Sequence, residues 1–404
     1  MGISTPRHPD DRSPSSALAS IPDDDITAIQ DALTNIEADY DVKVLAARDV
    51  GSHAWNLNSD TSDYDVAVVF RQPTAAYYQL GTEYATLEQE LNYDVAASDQ
   101  DVEFKAWNIT KFSELVNESN ASALRFLASP IRYLHEEHPC IHELENVALE
   151  SFRPGALIGH AYGQAGRMYR DNFVQRLRHT PTEHKTDTRH EQFEVLPESA
   201  DSAGSITARS ITDDHTETIH LSEVGPGEKW GLVKRDHVQK DTWEIVETDR
   251  SEDLLVVEHA DSGKQRELSY TTVDEGTADE WEWASTDRRV KRFVYVTRSI
   301  LTAAYVAGST IVAEPQYPPT DFMALIRVYE NLPEDAQVVD LPVDAIKEYA
   351  KQKRAATGDE YLDEWHADTI ETALNELESV VHDDQFHQQH IDREAVNEIL
   401  ESAL

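Results

Sequence analysis

The stretch GSHAWNLNSDTSDYDVAVVF, residues 51–70, places a Gly-Ser pair, a polar loop and two aspartates directly before an apolar run. Residues 65–71 have the apolar, β-branched composition that is typical of a buried strand. Residues i and i+2 of a strand project from the same face, so Asp63 and Asp65 can share one cation if their backbone is extended. The stretch therefore predicts a pair of carboxylates at the start of a buried strand.

The Asp-x-Asp spacing has no weight by itself, because it recurs in this chain. It is found at Asp23/Asp25, Asp39/Asp41, Asp63/Asp65 and Asp99/Asp101. Capping explains the first pair, which lies at a predicted helix start, and the second lies in a predicted helix–strand turn. The context of the pair at 63 and 65, after a Gly-Ser pair and at the start of a strand, separates it from the others.

Further residues in the neighbourhood suit a nucleotide. Gly51 lets the backbone approach a phosphate closely, and the hydroxyl of Ser52 can hydrogen-bond its oxygens. Glu103 lies on the next predicted strand, residues 101–109, with Asp101 and Lys105 on the same face by alternation. Three carboxylates around two Mg²⁺ ions roughly 4 Å apart can activate a hydroxyl and stabilise a leaving pyrophosphate. Mg²⁺ suits the set because it prefers oxygen ligands and substrate phosphates, and Mn²⁺ is the alternative.

The composition limits the partners. The 404 residues include 77 acidic and 35 basic ones, for a formal net charge of −42, yet 40% of the residues are hydrophobic, which indicates a folded protein. This balance is similar to that of cytoplasmic proteins from extreme halophiles, where salt screens the repulsion. Non-specific DNA coating is excluded, because such binding requires Lys and Arg to neutralise phosphates.

Other sequence features favour a cytoplasmic protein. Cys140 is the only cysteine, so neither an intrachain disulfide nor a thiolate metal cluster can form. The N-terminal residues are polar and contain no apolar signal core. The most membrane-like stretch, residues 300–313, is too short to span a bilayer, so no membrane partner is expected.

The pattern along the chain predicts an α/β (α+β) fold. A flexible tail, residues 1–20, precedes a domain of mixed sheet and helices, residues 21–134. The domain's predicted elements are helix 26–40, strands 42–47, 65–71 and 101–109, and helices in 77–91, 110–119 and 121–129. A helical C-terminal domain follows, residues 135–179 plus 286–404, and its predicted helices include 156–178 and 343–356. It is interrupted by an acidic linker, residues 180–219, and a small β insert, residues 220–285, with a hairpin turn at Asp261–Gly263.

A resemblance to a known family rests on these motifs. GSHAWNLNSDTSDYDV, residues 51–66, resembles the Gly-Ser…Asp-x-Asp signature of the DNA polymerase β-like nucleotidyltransferase superfamily. Within it, residues 101–133, 160–173, 290–306 and 317–326 resemble segments of the YcgL/RlaP-type family, which has an RNA-repair member. The resemblance implies transfer of a nucleoside monophosphate (NMP) from a nucleoside triphosphate (NTP) to a hydroxyl acceptor, with RNA as one acceptor class.

The resemblance also implies roles for individual residues. Asp63 and Asp65 would be metal ligands, Glu103 the third carboxylate and general base, and Gly51 and Ser52 would hold the triphosphate. Lys111 matches a lysine that the family keeps. The chain departs from the family at His53 and Ala67, where arginines are usual, and at Asn108 and Thr110, which stand for Asp and Arg.

A basic cluster later in the chain has two interpretations. It consists of Arg288, Arg289, Lys291, Arg292 and Arg298. On a helix, Lys291 and Arg298 lie on one face, where they could contact phosphates, or they could pair with local acids such as Asp287.

Two alternatives to a nucleic-acid-modifying enzyme stay open. The lost arginines suggest a degenerate nucleotide-binding or partner-binding module without turnover. A nucleotidyltransferase that modifies a protein, as antitoxin-like relatives do, is the other alternative.

Overall fold

The structure is a computed structural model that describes the larger part of the chain. The described residues are 13–78, 101–180, 186–195, 205–210, 216–220, 232–238, 241–260, 262–276, 281–284, 286–355, 360–363, 365–387 and 391–404. The helix predicted within residues 77–91 lies almost wholly outside them and stays a prediction. In the described residues, no helix is long and apolar enough to cross a membrane.

The N-terminal part contains both helices and strands, strands predominate from residue 176 to residue 283, and helices form the C-terminal part. The helices are α1 (Pro14–Leu18), α2 (Asp23–Tyr40), α3 (Ile109–Asn117), α4 (Ala121–Ala128), α5 (Pro139–Ser151), α6 (Pro154–Asn172), α7 (Tyr270–Asp274), α8 (Val290–Val312), α9 (Phe322–Glu330), α10 (Val343–Arg354), α11 (Trp365–Val381) and α12 (Arg393–Ala403). The strands are β1 (Lys43–Asp49), β2 (Tyr64–Arg71), β3 (Val102–Asn108), β4 (Arg176–His179), β5 (Thr186–Val195), β6 (Ser205–Ser210), β7 (Thr216–His220), β8 (Leu232–Val238), β9 (Asp241–Asp249), β10 (Leu254–His259), β11 (Gln265–Ser269) and β12 (Trp281–Trp283).

A mixed sheet of three strands, in the order β1-β2-β3, forms the centre of the N-terminal part. β1 and β2 are antiparallel, whereas β2 and β3 are parallel. Val66, Val68 and Phe70 point to one face, where they share a core with α2. Ala67 and Val69 point to the other face, into the core formed with α3 and α4. Both faces are covered, which explains why β2 is an almost continuous apolar run.

The C-terminal helices pack around α8. Its buried residues, such as Phe293, Ile300 and Tyr305, share one core with α6, α9, α10 and α11. The observed combination of a mixed sheet, a helical C-terminal region and a separate antiparallel sheet confirms the predicted α+β fold class.

Residues 1–174 and 287–404 form one compact unit, and residues 175–286 form a second. The predicted mixed-sheet part and the predicted helical part thus lie in the same compact unit, and their separation into two domains stays a prediction. The amide of Asp287 donates to the carbonyl of Asn172 at 3.0 Å, so the first unit closes next to the point where the second is inserted.

The second unit is built from antiparallel strands. One sheet has the order β11-β10-β9-β4-β12, and another has the order β7-β6-β5-β8. Leu177, Trp243, Leu255 and Val257 form the core of the first sheet. β5, β6 and all of β7 except His220 lie within residues 180–219, which the sequence predicts as a linker. These segments contain few large apolar residues, and a sequence of this composition is typical of a linker. The structure nevertheless pairs their backbones as strands.

A buried group of ions fixes β1 to the residues that follow α4. The guanidinium of Arg48 is fully buried and contacts Glu137 at 2.6 Å and Glu145 at 3.0 Å. Arg132 binds the same Glu145 at 3.0 Å. Each buried carboxylate has a cationic partner, which offsets the cost of taking the charges out of water. The group therefore holds β1, and with it the loop that follows, in a defined position.

Candidate active site

Asp65 and Glu103 lie side by side at the start of two parallel strands. In the register of β2 and β3, Asp65 is the direct partner of Glu103. Asp63 comes two residues earlier and is exposed, while Asp65 is partly buried. Alternation places Asp65 on the face of Ala67 and Val69, which belongs to the core shared with the C-terminal helices. The strands thus bring together the carboxylates that the sequence singles out.

Gly51 lies directly against one of these carboxylates. The amide of Val50 donates to the carbonyl of Asp65 at 2.9 Å and brings the end of β1 to the start of β2. A Cβ atom on Gly51 would come within 1.6 Å of Oδ2 of Asp65, closer than any real contact. Glycine is required here because the Asp65 side chain occupies the space that any other residue needs. The sequence suggests phosphate approach for Gly51, and the structure adds this packing requirement.

Asp49, at the end of β1, hydrogen-bonds the backbone of the loop that begins at Gly51. Its Oδ1 accepts from the amides of Gly51 at 3.0 Å and Ala54 at 3.1 Å, and its Oδ2 accepts from the hydroxyl of Tyr133 at 3.2 Å. Burial, and then the nearby charge of Asp65, raise the pKa of Asp49 to about 7. Asp49 thus positions the loop that follows β1.

The loop between Gly51 and Asp63 is tied to the helical region. The amide of Phe322 donates to the carbonyl of Trp55 at 3.0 Å, and Nδ2 of Asn56 donates to Asp321 at 2.8 Å. His53 is buried and stacks on Tyr64 with ring centroids 4.4 Å apart. His53, which stands where the resembling family has arginine, therefore packs beneath the loop.

Excess negative charge surrounds Asp65. Burial contributes most to raising its pKa to about 6, and the carboxylates of Glu103 and Asp63 raise it further. Lys291 and Arg125 act in the opposite direction. A carboxylate in this environment gains from a nearby cation, because the cation offsets both burial and repulsion.

A cavity of about 300 Å³ opens beside the two aspartates. Its wall is formed by Ser52, Ser59, Thr61, Ser62, Asp63, Asp65, Lys291, Arg292, Tyr295 and Lys353. The acids come from the loop before β2 and from its start, whereas the cations come from α8 and α10. The wall of the cavity therefore combines carboxylates, cations and hydroxyl groups.

Lys353 reaches this cavity from the end of α10. Its side chain is buried, and Nζ donates to Oγ of Ser62 at 3.2 Å. Tyr295 hydrogen-bonds Ser52, and burial raises its pKa to about 12. These contacts join the loop before β2 to two helices far along the chain.

The oxygens of Asp63 and Asp65 are the candidate ligands for a divalent cation in this cavity. Among the described residues, no three His, Cys, Asp or Glu side chains form a group that could hold a metal ion by themselves. The predicted convergence of Asp63, Asp65 and Glu103 around a cation therefore stays a prediction. Mg²⁺ is usually held by one or two carboxylates together with substrate phosphates, so the oxygens of Asp63 and Asp65 fit this mode.

Of the predicted site residues, Gly51, Glu103, Lys111 and Arg298 are not part of the cavity wall. Lys111 lies on α3 beyond the carboxyl end of β3 and contacts Glu114 at 3.2 Å. Glu103 and Asn108 are separated by the length of β3, about 17 Å at a rise of about 3.3 Å per residue. Lys111 is thus near the far end of the sheet.

Arg298 is buried and lies over the ring of Trp55, with its guanidinium carbon 4.2 Å from the ring centroid. It lines a separate, small cavity with Arg125, Gln164 and Tyr317. Lys291, about two turns earlier on α8, is part of the wall beside the aspartates.

The motifs did not identify Asp49 or Lys353 as site residues. Lys353 had a detectable signal, because it follows Ile346 and Ala350 at the helical spacing of the buried face of α10. A lysine on a core-facing stripe requires a polar partner or a ligand. Asp49 had no such signal in a chain with so many acidic residues.

Comparisons with known proteins agree with the motifs. Residues 26–186 match the family described as "RNA repair pathway DNA polymerase beta family", RlaP. The chain is 30% identical over 143 residues to the protein named "Uncharacterized protein YcgL" of Bacillus subtilis (strain 168), an alignment that covers 35% of this chain and 52% of YcgL. The chain thus spans about half the length of this curated relative. No solved structure matches it.

Proposed function

Because residues 26–186 match a polymerase beta family, we propose that this chain is a divalent-metal-dependent nucleotidyltransferase that moves an NMP from an NTP to a hydroxyl acceptor. The observation that supports it best is the single cavity whose wall contains Asp63 and Asp65 together with Lys291, Arg292 and Lys353. A nucleoside triphosphate needs both kinds of residue, because its phosphates bind cations of the protein and also bring metal ions.

The residues of the cavity have distinct roles in this proposal. Lys291, Arg292 and Lys353 bind the negative oxygens of the triphosphate, and Ser52 hydrogen-bonds them next to Gly51. Asp63 and Asp65 hold Mg²⁺, or Mn²⁺ in its place. A metal ion held by Asp63 and Asp65 would supply a lowered pKa for the acceptor hydroxyl and would offset charge on the leaving pyrophosphate.

The reaction exchanges one phosphorus–oxygen bond for another. The acceptor oxygen forms a bond to the α-phosphorus, and the bond from that phosphorus to the oxygen bridging to the β-phosphorus breaks. Glu103, the strand neighbour of Asp65, takes the hydroxyl proton, and the electron pair leaves with pyrophosphate. Most of the acceleration comes from positioning and electrostatics, since such transfers require little covalent chemistry of the protein.

The acceptor proposed is RNA, by analogy with the description of the matching family. The double variant Asp63→Asn/Asp65→Asn keeps the shape of both side chains and removes their charge. We expect at least a hundredfold loss of labelled NMP transfer to RNA, with an unchanged circular dichroism spectrum. A suitable control is Asp39→Asn/Asp41→Asn, an exposed Asp-x-Asp pair at the C-terminal end of α2.

Transfer that persists in the double variant would refute the assignment of the site. Metal-dependent NTP binding by the wild type without pyrophosphate release, across RNA and protein acceptors, would instead indicate a binding module. Label that appears on protein but not on RNA would indicate a protein-modifying enzyme.

A further inference from the structure

Two large aromatic side chains are exposed next to the basic start of α8. In the first unit, Tyr361 is 73% exposed and Trp365 is 43% exposed. Most other aromatic residues of that unit belong to its cores. Tyr361 and Trp365, together called the aromatic pair, are therefore surface features that packing does not explain.

The backbone joins the aromatic pair to the helix that lines the cavity. Tyr361 forms an antiparallel β-bridge with Arg289. The amide of Val290 donates to the carbonyl of Glu360 at 3.1 Å, and the amide of Leu362 donates to the carbonyl of Arg288 at 2.8 Å. Arg292, one helical turn beyond Arg289, lies in the cavity wall. The aromatic pair thus lies near Arg292, one of the basic residues of the cavity wall.

Arginine side chains at the start of α8 are held in place by ion pairs. Arg289 and Arg292 both bind the carboxylate of Asp287, the latter at 2.8 Å. These hydrogen bonds, that of Arg289 above all, lower the pKa of Asp287 to about 2. Arg288 and Lys291 add two more positive charges to the same segment. The segment 287–292 is therefore locally basic in a chain whose net charge is −42.

Trp365 is also fixed. Its ring stacks on His366, with centroids 3.6 Å apart, and Nε2 of His366 is 2.6 Å from the hydroxyl of Tyr349. One face of the Trp365 ring is thus covered, and the side chain remains partly exposed to solvent. A rigid, half-exposed indole offers a stacking surface at little cost in side-chain entropy.

We propose that the aromatic pair stacks the bases of a single-stranded nucleic-acid acceptor, whose terminal hydroxyl enters the cavity beside Asp65. This rests on the proposed function and adds the site that recognises the acceptor. A chain with this net charge repels a polyanion, so a few phosphate contacts to Arg288 and Arg289 give weak binding. Base stacking needs no charge on the bases, which makes it the interaction that such a protein can use.

The combination of residues favours single-stranded nucleic acid over another partner. Single-strand binding sites combine cations that follow the phosphates with aromatic rings that stack successive bases. An apolar partner protein would bury the charges of the adjacent Arg288 and Arg289, which is costly.

The test measures acceptor binding and NTP use separately. Tyr361→Ala removes a largely exposed side chain, so we expect an unchanged fold and about tenfold weaker binding of a labelled single-stranded RNA in fluorescence anisotropy, which is about 1.4 kcal/mol. Tyr361→Phe keeps the ring and should restore affinity. The KM for NTP should be unchanged in both variants. Trp365→Ala should show a similar loss, and Trp365→Phe should restore most of it.

Ile311→Ala is the matched control, because Ile311 is 43% exposed at the opposite end of α8. Equal RNA affinity of Tyr361→Ala and wild type, or an equal loss in Ile311→Ala, would overturn the inference. NMP transfer to RNA that does not depend on Tyr361 would overturn the inference and leave the proposed function intact. RNA binding that depends on Tyr361 without any transfer supports the inference and refutes the proposed function.

Discussion

At the scale of single residues, the contact with Asp65 requires that residue 51 be glycine. Gly51→Ala would place a methyl group where Oδ2 of Asp65 lies, so the carboxylate must move. A displacement of about 1 Å at a reacting centre can cost about a hundredfold in rate, and we expect at least that loss in kcat. Gly159→Ala on α6 is the control, because no atom lies within 4 Å of its added Cβ. Full activity of Gly51→Ala would contradict the geometry.

Asp49 makes stability depend on pH in an unusual direction. Its pKa of about 7 in the folded protein exceeds the unfolded value of about 4, because the carboxyl group is buried near Asp65. The stabilisation is therefore fully present below pH about 4 and is lost as pH rises through about 7. In Asp49→Asn, the amide oxygen can still accept from Gly51 and Ala54.

We expect the free energy of unfolding of Asp49→Asn to rise relative to wild type as the pH increases from about 5 to about 8. Urea titrations of both proteins at several pH values measure this difference. A difference that stays constant across that range would show that Asp49 does not titrate there. Asp41→Asn, which changes an exposed carboxylate, should give no such trend.

At the scale of secondary-structure elements, α10 supplies a matched pair of lysines. Lys353 is buried at the cavity, while Lys351 is exposed and pairs with Glu348 at 3.1 Å. Lys353→Met keeps the apolar stem of the side chain and removes its charge. We expect the KM for NTP to rise about tenfold with a smaller change in kcat, because a phosphate contact by Lys353 would stabilise the ground state and the transition state alike. Lys351→Met should leave both constants unchanged. An equal effect of the two substitutions would exclude a phosphate contact by Lys353.

The parallel pairing of β2 and β3 determines which residues belong to the site. The register sets Glu103 beside Asp65 at one end of the sheet. The same strand direction places α3 and Lys111 at the other end, where Lys111 contacts Glu114. Resemblance in sequence cannot distinguish the two ends, because both segments follow the same family pattern.

At the scale of the whole molecule, the cavity is formed entirely by the first unit. Its wall residues all lie within 1–174 and 287–404. Asn172 and Asp287 are already hydrogen-bonded at 3.0 Å. A short Gly-Ser linker in place of residues 175–286 should therefore leave a folded protein with a single thermal transition.

That shortened protein should also bind NTP with an affinity within about threefold of the full chain, because no wall residue is removed. Isothermal titration with Mg²⁺-NTP measures this affinity. An unfolded product would contradict the independence of the first unit. A folded product that fails to bind NTP would assign a role in nucleotide binding to residues 175–286.

Much of the local structure could be predicted from the sequence. The predicted strands at 65–71 and 101–109 and the predicted helix at 343–356 agree with β2, β3 and α10 to within about two residues. The predicted helix at 156–178 ends earlier, at Asn172, since neither Gly nor Pro marks its end and Leu177 belongs to the core of the second unit. Local patterns succeed where burial is periodic, and they fail where the partner of a residue is distant in sequence.

The sequence by itself determined the α+β class, the two aspartates at the start of β2 and the similarity to a polymerase beta family, because these depend on residue type and short spacing. Only the tertiary structure decided that Gly51 is required by the Asp65 carboxylate, that Asp49 supports the loop, and that Lys353 faces the cavity while Lys111 and Arg298 do not. These relations depend on strand register and helix packing between segments up to several hundred residues apart, which no local pattern specifies.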